Sequence, residues 1–147
     1  MGYRIVLASG SPRRKEILSQ IGASYEVIVS DCDESTSCTE PEALVRELSY
    51  KKAEAVAKEQ TGPVIVIGAD TVVAYNGRIL GKPKDDADAT QMISMLAGKR
   101  SSSGYSGISV FLPFTGRNTP LTAIFWQSDF ISFCFIHFFI TFFISHF

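Results

Sequence analysis

The 147-residue sequence predicts an α/β fold: a mixed sheet flanked by helices. Three observations carry this expectation. Short β-rich runs alternate with helical segments in the order β, α, β, α, β-hairpin, α, which puts helices on the faces of a sheet. The run Val64 to Ile67 is apolar without interruption, as in a strand covered on both faces. Asn76-Gly77, between Val72–Tyr75 and Arg78–Leu80, is a favoured two-residue hairpin connection.

Taken in order, Arg4 to Ala8 is a short strand that stops at Ser9-Gly10-Ser11-Pro12. Pro12 suits a first helical position because its missing N–H has no partner there, and Ser11 is a good N-cap. The helix Pro12 to Gln20 turns Ile17 and Leu18 inward and ends at Gly22. Tyr25 to Val29 is a second strand, followed by an acidic loop from Ser30 to Ser37. Thr39 and Glu42 match a capping box, and a long helix from about Glu40 to Lys58 runs until Thr61-Gly62-Pro63 stops it. After the hairpin, Gly81-Lys82-Pro83 breaks the second arm, Asp85 or Asp86 caps a helix, and Ala87 to Leu96 runs to Gly98.

The chain fits one domain of ordinary size. A net charge of −1 gives no surface dedicated to a nucleic-acid polymer or an anionic membrane, so any phosphate chemistry must come from local clusters. Cys32, Cys38 and Cys134 are an odd set with no CxxC pair, which fits neither a disulfide framework nor a zinc knuckle. Free thiols in a reducing cytoplasm are the expectation. The apolar run at the N-terminus is too short for a signal peptide.

Composition changes abruptly near residue 111. All eleven Phe lie at or after Phe111, while 13 of the 14 Lys and Arg and 14 of the 15 Asp and Glu lie at or before Arg100. The expected division is residues 1–110 as one unit and 111–147 as an atypical Phe-rich tail. Phe130 to Phe147 is an uncharged run of 18 residues, about the length of a membrane span. A membrane anchor would show a Leu/Ile/Val-rich span with basic flanks, and here the nearest upstream charge is Asp129. A buried terminal helix or strand pair would show polar periodicity, which is missing. The pattern favours a third account, a tail that is not this domain's original continuation; a membrane partner is not expected.

Four segments carry candidate chemistry. Ser9-Gly10-Ser11-Pro12-Arg13-Arg14 joins a strand to a helix, where helix N–H groups, a close-approaching glycine backbone and two guanidinium groups suit a phosphate. A capped helix with exposed arginines fits it equally, and the P-loop spacing is absent. Gly68-Ala69-Asp70-Thr71 interrupts an apolar stretch with a carboxylate, costly to bury unless it is used or paired. Such an Asp accepts a proton from water, holds a metal, or merely caps a turn. Gly81-Lys82-Pro83 presents a lysine in a fixed direction, as a phosphate ligand or as a surface residue. The loop Asp31-Cys32-Asp33-Glu34 is either a Mg²⁺ site or a solvated acidic turn. An apolar strand followed by DxDxS also resembles the start of a haloacid dehalogenase-type phosphatase with Asp31 as nucleophile, although the later acidic pair of that family is missing.

Read together, LASGSPRRKEIL, DES, LSYKKAEAVA, VIGADTVVAYNGRILGKPKDDADA and MISMLAGK resemble the Maf family of nucleoside triphosphate pyrophosphatases, in order from Arg4 to about Lys99. The resemblance implies a fold like that of inosine triphosphate pyrophosphatase, incomplete at its C-terminal side. It implies hydrolysis between the α- and β-phosphates with a divalent metal, Mg²⁺ or Mn²⁺. Asp70 would activate water, Ser9, Arg13, Arg14, Lys52 and Lys82 would line the phosphate site, and Glu34 would join Asp70 in holding metal. Arg13 and Thr71 point to the branch acting on dTTP and UTP. A homodimer is implied as well. The family's later segment with an AGAYGIQG-like pattern is missing, and Tyr105 to Val110 matches its next strand. An inactive nucleotide-binding fragment and a membrane-tethered protein are the rival expectations.

Overall fold

The computed structural model describes residues 3–76, 78–97, 102–111 and 121–127. Among these residues six strands and three helices follow in the order β1 (Arg4–Leu7), α1 (Pro12–Gln20), β2 (Tyr25–Val27), α2 (Pro41–Ala57), β3 (Val64–Tyr75), β4 (Arg78–Leu80), α3 (Asp86–Leu96), β5 (Ser102–Phe111) and β6 (Leu121–Gln127). The sheet order is β2-β1-β3-β5-β6, with β4 also paired to β3. β1 is parallel to β2 and β3, whereas β3–β4, β3–β5 and β5–β6 are antiparallel. The mixed sheet expected from the sequence is therefore present. It continues past the compositional change at 111, because β6 pairs with β5 from Gly104 to Val110.

The period-2 alternation of β3 divides the core between two faces. Val64 and Val66 pack with Ala53, Val56 and Ala57 of α2. Ile65, Ile67 and Ala69 pack with Leu18 of α1. Both faces of the strand are thus covered, which explains its unbroken apolar run. α2 lies very close to the sheet. A Cβ on Gly68 would stand 2.3 Å from the Ser49 carbonyl oxygen, and one on Gly107 would stand 2.5 Å from that of Val45. The same contact brings the Ser49 and Ser109 hydroxyls within 2.9 Å of each other in the buried layer.

Local signals place most boundaries. Gly22 adopts φ +71° just beyond α1, and Asn76 adopts φ 49° in the hairpin, as a left-handed turn position requires. Asp85 caps α3 by accepting from the Asp88 amide. Three expectations need correction. The run Val64 to Ile67 and the hairpin arm Val72 to Tyr75 are not separate elements, since β3 is one 12-residue strand whose Gly68 admits α2. β2 stops at Val27, with Val29 63% exposed beyond this sheet edge. α2 starts with Pro41 after Glu40, with no side-chain cap, so Thr39 and Glu42 do not form a capping box; Thr39 lies one residue outside the cap position. The Phe-rich run 130–147, Cys134, Gly77 and Gly98 lie outside the described residues. Among those described, no helix is long and apolar enough to cross a membrane.

Candidate active site

The register of β3 opens a gap along one of its edges. β1 pairs with Val64–Ile67 and β4 with Val73–Tyr75, while β5 occupies the opposite edge continuously from Val66 to Tyr75. β1 and β4 therefore share an edge, and among the described residues no strand pairs that edge between Gly68 and Val72. Asp70 and Thr71 sit in this interval. The chain leaves β1 through Ser9–Ser11 beside it, and after β4 it heads back along β3 towards Thr71. A crevice beyond a strand end is where open α/β sheets place ligands.

Neighbours in a strand face opposite ways, and the two faces hold different groups. On the α2 face Asp70 is 9% exposed, and Lys52 donates from Nζ to its Oδ1 at 2.5 Å. The same ammonium lies 3.4 Å from Glu34 Oε1, so one lysine gathers two carboxylates. On the α1 face Arg14 donates to Ser9 Oγ at 2.9 Å and to Thr71 Oγ1 at 3.4 Å. The Ser9 hydroxyl also accepts the Ser11 amide at 3.3 Å, which shapes the turn into α1. Burial lowers the Arg14 pKa from its usual value, while the Asp70 and Glu34 carboxylates act in the raising direction. Asp70 and Thr71 are neighbours in β3, so the two groups flank the same gap.

Of the residues chosen from sequence, the structure brings together Ser9, Arg14, Thr71, Lys52, Asp70 and Glu34. Arg13 is exposed on the first turn of α1, and Lys82 is exposed two residues past β4. Asp31 sits exposed in the loop after edge strand β2. Sequence reasoning missed Glu47, which accepts from Thr36 Oγ1 at 2.8 Å and Cys38 Sγ at 2.9 Å and pairs with Lys51 at 2.6 Å. The i,i+4 spacing of Glu47 and Lys51 was the available signal.

Asp70 and Glu34 converge on one ammonium and offer hard oxygen donors, the set that suits Mg²⁺ or Mn²⁺ when substrate phosphates complete the shell. Among the described residues no three His, Cys, Asp or Glu side chains form a metal cage, so such an ion would need those further oxygens.

A family model described as Maf-like protein matches residues 4–127. The chain belongs to that family. Its relatives include dTTP/UTP pyrophosphatases from Lachnoclostridium phytofermentans, 51% identical over 110 residues, and Agathobacter rectalis, 50% identical over 127. These alignments cover 75% and 78% of the Maf-like chain but 55% and 62% of the relatives, so the chain spans little more than half their length. The solved structure of a HAM1 protein from Coxiella burnetii matches with a TM-score of 0.51 at 16% identity, covering 85% of this chain and 72% of that one. It shares the fold of the Maf-like chain. The family match ends beyond the compositional change at 111.

Proposed function

We propose that this chain binds a nucleoside triphosphate at the β3 gap and hydrolyses it to a monophosphate and pyrophosphate, with dTTP and UTP as substrates. The observation that carries this reading is Asp70, a nearly buried carboxylate held by Lys52 at the open edge of β3 with Arg14 on the adjoining face. The names of the two relatives support the substrate class.

Water adds to phosphorus as the bridging P–O bond between the α- and β-phosphates breaks, and pyrophosphate leaves. Asp70 takes the proton of that water, and its attachment to Lys52 fixes the carboxylate's direction. Arg14, with Arg13 and the first amides of α1, faces the negative oxygens; Lys82, exposed after β4, is the further phosphate ligand of this reading. Ser9 and Thr71 hold the Arg14 fork in place. Glu34 and Asp70 would hold a divalent cation, Mg²⁺ or Mn²⁺, which when bound neutralises phosphate charge. Free Cys32 and Cys38 are in keeping with a cytoplasmic location. A homodimer belongs to the same reading, as the family resemblance implies.

The test is pyrophosphate release from dTTP, UTP and a purine triphosphate with Mg²⁺ or Mn²⁺. Asp70→Asn is expected to lower the rate by roughly 10²- to 10⁴-fold, the usual worth of a general base. Asp31→Asn should leave it nearly unchanged. The opposite ranking would support the dehalogenase-like alternative. Triphosphate binding without release by the folded wild-type chain would make this a nucleotide-binding fragment.

A further inference from the structure

The chain from Ile28 to Glu40 forms no helix or strand, yet it carries Glu34 to Lys52. The Glu34 side chain is 49% exposed, and an exposed ion pair contributes too little to fasten a segment of that length. Bonds within the segment shape it without attaching it. Asp33 accepts from the Ser35 amide at 2.8 Å, and Thr36 Oγ1 accepts from the Cys38 amide at 3.0 Å.

The attachment comes from α2. One Glu47 oxygen, Oε2, accepts from both Thr36 and Cys38, while Oε1 pairs with Lys51. Lys51 in turn donates to the Ser35 carbonyl at 2.8 Å. Ser35 follows Glu34 directly, so adjacent lysines grip adjacent parts of the loop: Lys51 the backbone and Lys52 the carboxylate. We infer that Glu47 is a positioning residue, which fastens residues 33–38 to α2 and so sets Glu34 against Lys52 and Asp70. The part of this inference that concerns ligand binding rests on the proposed triphosphate site.

Hydrogen exchange of the full chain tests the attachment without reference to activity. Glu47→Ala should speed exchange of the 33–38 amides by roughly tenfold while amides of α2 and β3 keep their protection. Glu47→Gln, whose amide oxygen still accepts from Thr36 and Cys38, should restore much of that protection. It also serves as the probe if the alanine variant does not fold. Unchanged loop protection in the folded variant overturns the inference.

A double-mutant cycle tests the link to Glu34, using Mn²⁺-dependent binding of a non-hydrolysable dTTP analogue. Glu47→Ala and Glu34→Ala should each weaken binding by roughly tenfold, and the double variant should bind no worse than Glu34→Ala alone. A full additional loss in the double variant overturns the positioning role. If the wild-type chain binds no analogue, the triphosphate site fails, and hydrogen exchange alone decides whether Glu47 fastens the loop.

Discussion

The two faces of β3 meet helices in different ways. α2 buries Leu44, Val45, Leu48, Ser49, Ala53, Val56 and Ala57, and its backbone lies against Gly68 and Gly107. α1 buries only Leu18. The polar groups follow that division. The closely packed face holds the carboxylates, Asp70 and the Lys52-bound Glu34, and the lightly packed face holds Arg14 through two hydroxyls. In the proposed reaction a proton acceptor has to stand in one place, whereas a guanidinium gripping a mobile polyanion gains from adjustable support. On this comparison, packing density marks which half of the site is fixed.

The largest expected effect comes from forcing α2 off the sheet. A Gly68→Ala methyl would stand 2.3 Å from the Ser49 oxygen and 2.7 Å from the Ala53 nitrogen, and both are backbone atoms that cannot turn aside. We expect a loss of about 3 kcal/mol, near 10 °C in melting temperature. Gly10→Ala on the α1 side would meet the Val29 side chain at 3.4 Å, an ordinary contact, and should cost less than about 1 kcal/mol. Equal falls in thermal melts of the two variants would remove the contrast between the faces.

Arg14→Lys should act on ligand rather than on stability. Two guanidinium nitrogens reach Ser9 and Thr71 separately, and a single ammonium cannot reproduce that fork. Affinity for a triphosphate analogue should drop roughly tenfold, with the melting temperature nearly unchanged. A change in kcat with no change in KM would move Arg14 from holding substrate to acting in the chemical step.

Much of this was legible in the sequence because the signals were local. Pro12 and Gly22 bracket α1, Asn76 marks the hairpin, and the apolar run at Val64 marks a strand buried on both faces. Asp70 stood out as the one charge in that run. What stayed hidden depended on distant parts of the chain. Nothing near Gly68 in sequence reveals that Ser49 and Ala53 press upon it. The gap beside Asp70 needs β1 and β4 on one edge of β3, a matter of sheet order rather than of any motif. Glu47 seemed an ordinary helix-surface acid because its partners Thr36 and Cys38 sit in a loop without periodicity. Lys52 emerged only through family resemblance, since a lysine on a helix carries no sign of facing Asp70 across the fold.

The smallest effect sharpens the same comparison by pH. Hydrogen bonds from Cys38, Lys51 and Thr36 hold the Glu47 carboxyl down at about 2, against 4.5 in the ordinary state. Its value in the folded protein is thus the lower one. The stabilisation it gives is complete above about pH 4.5 and fades as pH falls towards 2. Asp33, lowered chiefly by its bond from the Ser35 hydroxyl, weakens in the same direction. On the opposite face Arg14 is held by Ser9 and Thr71, hydroxyls that do not titrate in this range. The NMR shifts of the Thr36 and Cys38 amides should therefore stay flat from pH 7 to about 4 and move as pH falls towards 2, while the Ser11 amide, bonded to Ser9, moves less. A Glu47 midpoint near 4.5 would mean that the carboxylate gains nothing from its three donors, and that the loop bearing Glu34 is held by Lys51 and Lys52 instead.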